Sequence, residues 1–477
     1  MKKAAAATVV TIAISISIAM LMAAFDETAA AQALDSAPAG IHLSWCDDPT
    51  TTMAVCWITD TVSQAALGYT ATVEYGTSEA YGSTATGESI PLSDPAGIPL
   101  LTSQVVKLTG LEPDTLYHYR CGDSSVGMSA DFTFRTAPKN GSFTFLTFGD
   151  TRNDYSDPFY ENNDFSVTHA VAERMKQEDA AFFLHNGDYI FAGQMQEDWG
   201  PYLRQMEILN AYMPIASAHG NHEYDSSNYY DLFAMPDPEA YYSFDVCSVH
   251  FIVLDTGLTD NEEQERIGPG SVQYNWLVND LEAARQHGYD WTVVQFHRPP
   301  YSSDHSHGNA TDVIDAWVPL FDEYGVDVVN SGHVHNYQRT YPMRGNEPVL
   351  TNETAYYENV NGTTYMVTGG GGAPLYDFLG GSWIASGYGG YHYARFDVSK
   401  NGTHHILHCT AKDIDGNVFD EFTVTKTYSS ESEDSTGGAG ETDEAGNRII
   451  VLPIVLGFIA VSVLVEMLVK KAGKGKI

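Results

Sequence analysis

Positive charge is scarce in this chain. Lys and Arg together number 24 against 62 Asp and Glu, which leaves a formal net charge of -38 over 477 residues. No long basic cluster interrupts the part that reads as folded, so nucleic acid is not an expected partner. Acid spread this evenly reads as a solvating surface, and an anionic substrate would need a local positive centre. Cysteine is also sparse. Cys46, Cys56, Cys121, Cys247 and Cys409 lie far apart with no C-x-x-C pair, which excludes a zinc ribbon. One or two disulfides are permitted in an exported chain, with the pairing unreadable and one thiol left over. Long apolar runs occur only near the two ends.

Those ends set the expected compartment. Lys2 and Lys3 precede an apolar stretch from about Ala4 to Ala24, and "AAAQA" ending at Ala33 offers an A-x-A cleavage site. Residues 1–33 therefore read as a secretory signal or an N-terminal anchor. Near the other end, "IIVLPIVLGFIAVSVLVEMLV" within 448–469 is long enough to cross a hydrocarbon core of about 30 Å, with Glu466 its only charge. Lys470, Lys471, Lys474 and Lys476 follow in the tail 470–477, and the positive-inside rule places them in the cytoplasm. The segment 428–447, with almost no apolar content, reads as a flexible acidic stalk. The expectation is a single-pass membrane protein whose large acidic part faces outward. Sequons at Asn140, Asn309, Asn352, Asn361 and Asn401 suit export but are weak signals.

Between the ends the pattern changes once. From 38 to 138, short runs such as "TMAVCWIT", "SQVVKLTGL" and "LYHYRCG" alternate with turn residues and lack helical periodicity, as in a β-sandwich. From 141 to 427, apolar strands alternate with amphipathic stretches such as "SVTHAVAERMKQ" and "QYNWLVNDLEAARQ", as in an α/β domain. Strand-like runs there end in polar clusters: Gly149-Asp150, Gly187-Asp188, Gly220-Asn221-His222-Glu223, His297, and Gly332-His333-Val334-His335.

In open α/β sheets, residues at the carboxyl ends of strands converge on one crevice, so these clusters are candidates for a single site. One Gly-Asp after a strand is as readily a turn or a helix cap as a ligand. The conjunction of all five points to metal. The candidates Asp150, Asp188, Asn221, His222, His297, His333 and His335 offer carboxylate, amide oxygen and imidazole without thiolate, which suit Fe, Zn, Mn or similar ions, and seven donors exceed one tetrahedral ion. Two ions sharing a carboxylate fit better. "GGGGAP" at 369–374 lacks the Lys-Ser/Thr of a P-loop and reads as a tight rim loop whose flexibility serves substrate entry.

This series resembles the calcineurin-like metallophosphoesterases. With "LTGLEPDTLYHYRCG" and "FTFRTAP", which resemble a fibronectin type III-like sandwich with a tyrosine corner, the chain from about 36 to 427 is similar to the purple acid phosphatases. The resemblance implies a two-metal phosphoester hydrolase. It makes Asp150 a ligand of the first metal, Asp188 the bridge, Asn221 and His297 ligands of the second, His333 a ligand of the second and His335 of the first. Gly332 is expected to let the backbone turn tightly between them. The resemblance assigns His222 to the phosphate group, and gives His305 and His307, in "HRPPYSSDHSHG", the roles of binding phosphate and protonating the leaving group.

The departures are specific. The family's "GDxxY" reads "GDYIF" here, so Phe191 stands where the ligating tyrosine is expected. Relatives outside the purple branch carry "GDxH", yet Arg152 fills that place. The first metal lacks its usual fourth protein ligand unless Tyr189, Asn153 or water replaces it. Arg152 offers a guanidinium that matches phosphate oxygens, or else a plain salt bridge. The reading is an outward-facing phosphomonoesterase. A phosphodiesterase or nucleotide hydrolase on the same ions, and a surface adhesion protein with a decayed site, are its rivals.

Overall fold

The computed structural model describes residues 37–61, 68–95, 97–153, 165–257, 264–304 and 307–428. The expected signal, the apolar segment and basic tail, and all of the stalk but Tyr428 lie outside the described residues. Among the described residues no helix is long and apolar enough to cross a membrane.

Two sheets face each other across an aromatic core. One, of 11 strands, carries the parallel run Phe143–Phe148, Phe182–His185 and Ile215–Ser217. The antiparallel strands His392–Asn401, His404–Asp413 and Val418–Thr427 extend it on one side. The other, of seven strands, carries the parallel run Val249–Val253, Trp291–Gln295, Val328–Ser331 and Thr364–Thr368. Between them Phe145 stacks on Phe396 at 4.8 Å and meets Phe251 of the facing sheet edge-on at 5.1 Å. Each such ring contributes roughly 1.5–3 kcal/mol by leaving water.

Alternation along the strands covers both faces of the second sheet. Phe251, Val253, Val293 and Val328 enter the core between the sheets. Ile252, Val294 and Val329 point the other way, onto Leu277 and Leu281 of helix Val272–His287 and Trp317 and Phe321 of helix Thr311–Tyr324. The first of these helices starts where the Ser271 hydroxyl accepts from the Tyr274 N–H at 3.1 Å, and stops at Gly288 in the left-handed region.

The N-terminal residues form the expected β layers. Ala39–Ser44, Met53–Asp60, Leu101–Leu108 and Glu88–Pro91 pair antiparallel, and Thr72–Gly76, Leu116–Asp123 and Phe132–Arg135 lie in a second, five-stranded sheet. A tyrosine corner is present: the Glu112 N–H donates to the Tyr117 hydroxyl at 2.9 Å. The sandwich does not stand free. Ser44 pairs parallel with Ile215, which joins the first N-terminal sheet to the α/β sheet, and Trp45 packs on Phe182 at 5.1 Å. All five cysteines are free thiols, so the permitted disulfides are not formed.

Candidate metal centre

Parallel strands deliver their polar ends to one place. Asp150 follows Phe143–Phe148, Asp188 follows Phe182–His185, and Asn221 and His222 follow Ile215–Ser217. His297 follows Trp291–Gln295, and His333 and His335 follow Val328–Ser331. The two sheets are tied just beneath these ends by side chains that sequence reasoning missed. Gln295 donates to the His185 and Ala216 carbonyls at 3.1 Å each, and Asn186 donates to the Ser331 carbonyl at 3.2 Å and the Thr368 hydroxyl at 2.7 Å.

The donors fall into two groups that share Asp188: Asp150, Asp188 and His335 at the first ion position, and Asp188, His297 and His333 at the second. At the second position, His297 Nε2 lies 2.9 Å from Asn221 Oδ1 and 3.2 Å from Asp188 Oδ1. His333 Nδ1 lies 2.9 Å from the same Asn221 oxygen and 3.2 Å from His297 Nε2. Bonds of about 2.0–2.2 Å to one ion set neighbouring donor atoms roughly 3.0–3.4 Å apart, so four donors converge as a coordination shell requires. At the first position His335 Nε2 lies 3.6 Å from Asp150 Oδ1. Outer contacts fix the tautomers: Nδ1 of His335 donates to the Pro374 carbonyl at 2.6 Å and Nδ1 of His297 to the Asn186 carbonyl at 2.7 Å, which turns each Nε2 inward.

Electrostatics call for a cation. Burial pushes the Asp150 carboxyl up, whereas at Asp188 burial is outweighed by His297 and His222 and the carboxyl stays well below its usual range. Burial opposes charge on His297, but Asp188 and Asp150 overcome it and raise that imidazole to about 9. Burial, followed by Arg152, lowers His335 to about 3, and burial also lowers His333, so both present neutral imidazoles. The backbone is strained at the donors themselves. Asp150, Asp188 and His333 take φ of 58°, 57° and 69°, a region that costs a non-glycine residue about 1–3 kcal/mol. The tight turn thus lies at His333, not Gly332. Glycine is needed at 332 for close approach, because a Cβ there would sit 2.4 Å from Asp150 Oδ2.

At the first position the substitute ligands suggested by the sequence are engaged elsewhere. Tyr189 is fully buried, stacks on His185 at 3.7 Å and donates its hydroxyl to Ser217 at 2.5 Å, away from the donors. Asn153 Oδ1 accepts from the Phe191 N–H at 3.2 Å. The Phe191 ring lies under the Arg152 guanidinium, 5.6 Å from its carbon, and 5.1 Å from His222. Arg152 Nε stands 3.9 Å from Asp188 Oδ2, beyond a hydrogen bond, and that buried nitrogen has no hydrogen-bond partner.

His222 anchors at both ends: its N–H donates to Asp188 Oδ1 at 2.9 Å and its Nδ1 to the Phe191 carbonyl at 2.5 Å, leaving Nε2 3.9 Å from Asp188 Oδ2. Burial lowers its pKa. His307 meets His333 edge-on at 4.4 Å, inside the same site, while His305 lies outside the described residues. Glu223, the last letter of "GNHE", supports the bridge residue. Its carboxylate accepts the N–H groups of Asp188 and Tyr189 at 2.9 Å and of Gly220 at 2.7 Å, and burial, followed by the charge of Asp188, raises it to about 7. The glycine loop lies directly behind the donors. The Gly371 N–H donates to the Gly149 carbonyl at 2.9 Å and the Ala373 N–H to the Asp150 carbonyl at 2.8 Å, so the loop braces the first donor from behind.

The chain is similar to known proteins over both of its layers. Residues 38–136 match the purple acid phosphatase N-terminal domain, and residues 143–337 match the calcineurin-like phosphoesterase family. Purple acid phosphatase 18 of Arabidopsis thaliana is 31% identical over 327 residues, 65% of this chain and 68% of that protein. Probable inactive purple acid phosphatase 1 of the same plant is 27% identical over 67% of this chain and 57% of its own length. The fold is similar to that of the purple acid phosphatase PPD1 from yellow lupin seeds, with a TM-score of 0.69, 22% identity, and coverage of 82% of this chain and 75% of the lupin chain.

Proposed function

Because the chain belongs to the purple acid phosphatase family, a family of metallophosphoesterases with a dinuclear metal centre, we propose that it hydrolyses phosphomonoesters at the outer face of a membrane. The observation that carries the reading is the convergence of Asp188, Asn221, His297 and His333 atoms at 2.9–3.2 Å, next to a second group sharing Asp188. Asp150, Asp188 and His335 would hold one ion, and Asp188, Asn221, His297 and His333 the other. When bound, such a pair supplies an activated water and stabilises charge on the attacking and leaving oxygens of an in-line displacement. The chain's own groups do the rest. Arg152 presents donors to phosphate oxygens beside Asp188. His222, held by Asp188 and Phe191, directs Nε2 at the phosphate group. His307, against His333, stands on the leaving-group side, where an imidazolium would protonate the departing alcohol, a role that the sequence motif also offers to His305.

The outward, anchored placement rests on the apolar run 448–469 and the lysines after it. Such a centre also supplies the positive potential that a protein of charge -38 otherwise lacks. The test combines metal analysis of the purified protein with turnover of an aryl phosphate monoester and a bis-aryl phosphate diester. Two ions per chain and a clear monoester preference are expected, and Asp188→Ala should lose ion occupancy and with it measurable turnover, because the shared ligand of both positions is gone. A folded Asp188→Ala protein with near-normal turnover would overturn the dimetal assignment. A diester preference would move the substrate class and leave the centre intact.

A further inference from the structure

A donor cluster that shares no residue with the two ion positions also lies at the carboxyl ends of strands from both sheets. Ile215–Ser217 of the first sheet leads into His219, and Val249–Val253 of the second leads into Asp255. Asp225 joins them from the turn that ends "GNHEYD". One ring nitrogen of His219 and one oxygen of each carboxylate lie within 4.8 Å of one another.

His219 makes the cluster more than an acidic pair. Its side chain is fully buried, yet neither ring nitrogen has a hydrogen-bond partner. Nε2 stands 3.6 Å from Asp225 Oδ1 and Nδ1 stands 3.7 Å from Asp255 Oδ1, beyond a hydrogen bond on each side. Tyr230, parallel to the ring at 6.1 Å and 8°, and Tyr229, edge-on at 5.3 Å, hold the imidazole in that plane. A buried polar side chain without a partner is uncommon in a folded protein, and an ion between the imidazole and the carboxylates accounts for this one. The carboxylates are placed in advance. Gln273 accepts the Asp255 N–H and donates to the Asp255 carbonyl, both at 2.8 Å, and Asp225 is held in the left-handed region at φ 50°.

A side-chain cation already bridges the two carboxylates. Arg266, on the short helix Gln264–Ile267, donates to both Asp225 oxygens at 2.9 Å, and its Nη2 also bonds Asp255 Oδ2. One guanidinium leaves one of the two negative charges uncompensated, and His219 gains nothing from it. A divalent ion neutralises both carboxylates and takes an imidazole lone pair as well. The Arg266 side chain is 31% exposed, so its charge can return to water when an ion takes the oxygens.

We propose that His219, Asp225 and Asp255 form a further cation site, for Zn²⁺ or a similar divalent ion, which takes the two carboxylates in exchange for Arg266. Imidazole with two carboxylates and no thiolate suits such an ion, with a fourth position left for water. Bound there, the ion ties the two sheets together. It also clasps the stretch that carries Asn221 and His222 from both flanks, since His219 comes two residues before Asn221 and Asp225 three after His222.

The experiment counts ions by mass spectrometry in the full-length protein equilibrated with Zn²⁺, wild type beside Asp255→Asn and His219→Gln, with circular dichroism confirming the fold. Wild type should hold one ion more per chain than either variant; His219→Gln alone decides the matter if Asp255→Asn does not fold. Arg266→Gln removes the competing cation and should tighten the additional ion about 10-fold in a calorimetric titration, within the usual range of coupling between ligands. Loss of a merely structural ion pair would loosen it instead. Equal ion counts in wild type and the folded variants would overturn the site, and unchanged or weaker binding in Arg266→Gln would overturn the exchange. The ions that remain in Asp255→Asn report separately on the dinuclear centre: two leave that reading standing, and fewer count against it, while the difference from wild type still judges the further site.

Discussion

Gly332→Ala adds a single methyl group to the centre, and its consequence can be worked out before the experiment. Gly332 lies outside the left-handed region, so alanine meets no backbone obstacle. The obstacle is steric: the new Cβ would stand 2.4 Å from Asp150 Oδ2, 3.0 Å from the Asn186 carbonyl oxygen and 3.2 Å from His297 Nδ1. Restoring ordinary contact requires Asp150 to retreat by roughly 0.6–1 Å, and overpacking of this kind costs about 1–3 kcal/mol of stability. The retreat also loosens the His333 N–H bonds to Asp150, now 2.8 and 2.9 Å. A displacement near 1 Å at a reacting centre costs about 100-fold in rate, or roughly 2.7 kcal/mol. The expected phenotype is a folded protein with a modestly lowered urea midpoint, reduced occupancy of one ion and kcat/KM down about 100-fold. Gly389→Ala is the control, since a Cβ there has no neighbour within 4 Å. Wild-type turnover and full ion content in Gly332→Ala would refute the claim that this glycine exists to admit Asp150.

Other perturbations report on different parts. Iron-loaded wild type should lack the phenolate-to-iron absorption of purple relatives, because Phe191 has no oxygen and Tyr189 donates to Ser217; Phe191→Tyr should gain the band, and intense colour in the wild type would mean that some other phenol reaches the ion and would refute this account of the first position. His307→Ala should slow alkyl monophosphates at least ~10-fold more than aryl ones, whose alcohols leave without a proton; equal losses would assign His307 to phosphate binding alone. Remote from the centre, burial opposes charge on His250, but Asp245 at 2.7 Å and Asp280 at 2.9 Å outweigh it and raise its pKa to about 9. Its contribution, of order 2 kcal/mol after discounting the half-exposed Asp245, is fully present below pH ~6.5 and lost as pH rises through about 9. Denaturation midpoints of wild type and His250→Gln should therefore differ at pH 6 and converge near pH 10; a constant gap would refute the ion-pair account.

The donors were legible because a parallel strand announces itself twice, by an apolar run and by the polar residues at its carboxyl end. "FTFLTF" then Asp150, and "VDVVNS" then His333, carry both signals in a few letters. The residues that sequence reading missed have neither. Asn186 and Gln295 tie the two sheets together through carbonyls that belong to other strands, and nothing local marks a side chain for such a role. Tyr376 sits in a segment without periodicity, and only its ring, stacked on His335 at 4.2 Å, places it beside a donor. The pairing of Ser44 with Ile215 joins two sheets through one residue pair, too small a contact to leave a pattern. The left-handed conformation of Asp150, Asp188 and His333 was also hidden, since aspartate and histidine are tolerated there and give no glycine-like mark.

The two departures from the family pattern look independent in sequence, 39 positions apart, yet the structure makes them one change. A phenol at 191 would sit beneath the guanidinium of Arg152, which now lies over the Phe191 ring at 5.6 Å. Such a phenol would face a choice between the ion and the guanidinium. Removing its oxygen resolves the conflict: the ring remains as an apolar and cation-binding floor, and the guanidinium stands 3.9 Å from Asp188. A fixed positive charge then stands where an anionic ligand would have been. That exchange weakens the hold on a trivalent ion and favours a divalent one. Arg152 therefore makes sense only with Phe191, because the loss of the phenol oxygen is what lets a fixed positive charge lie over that ring.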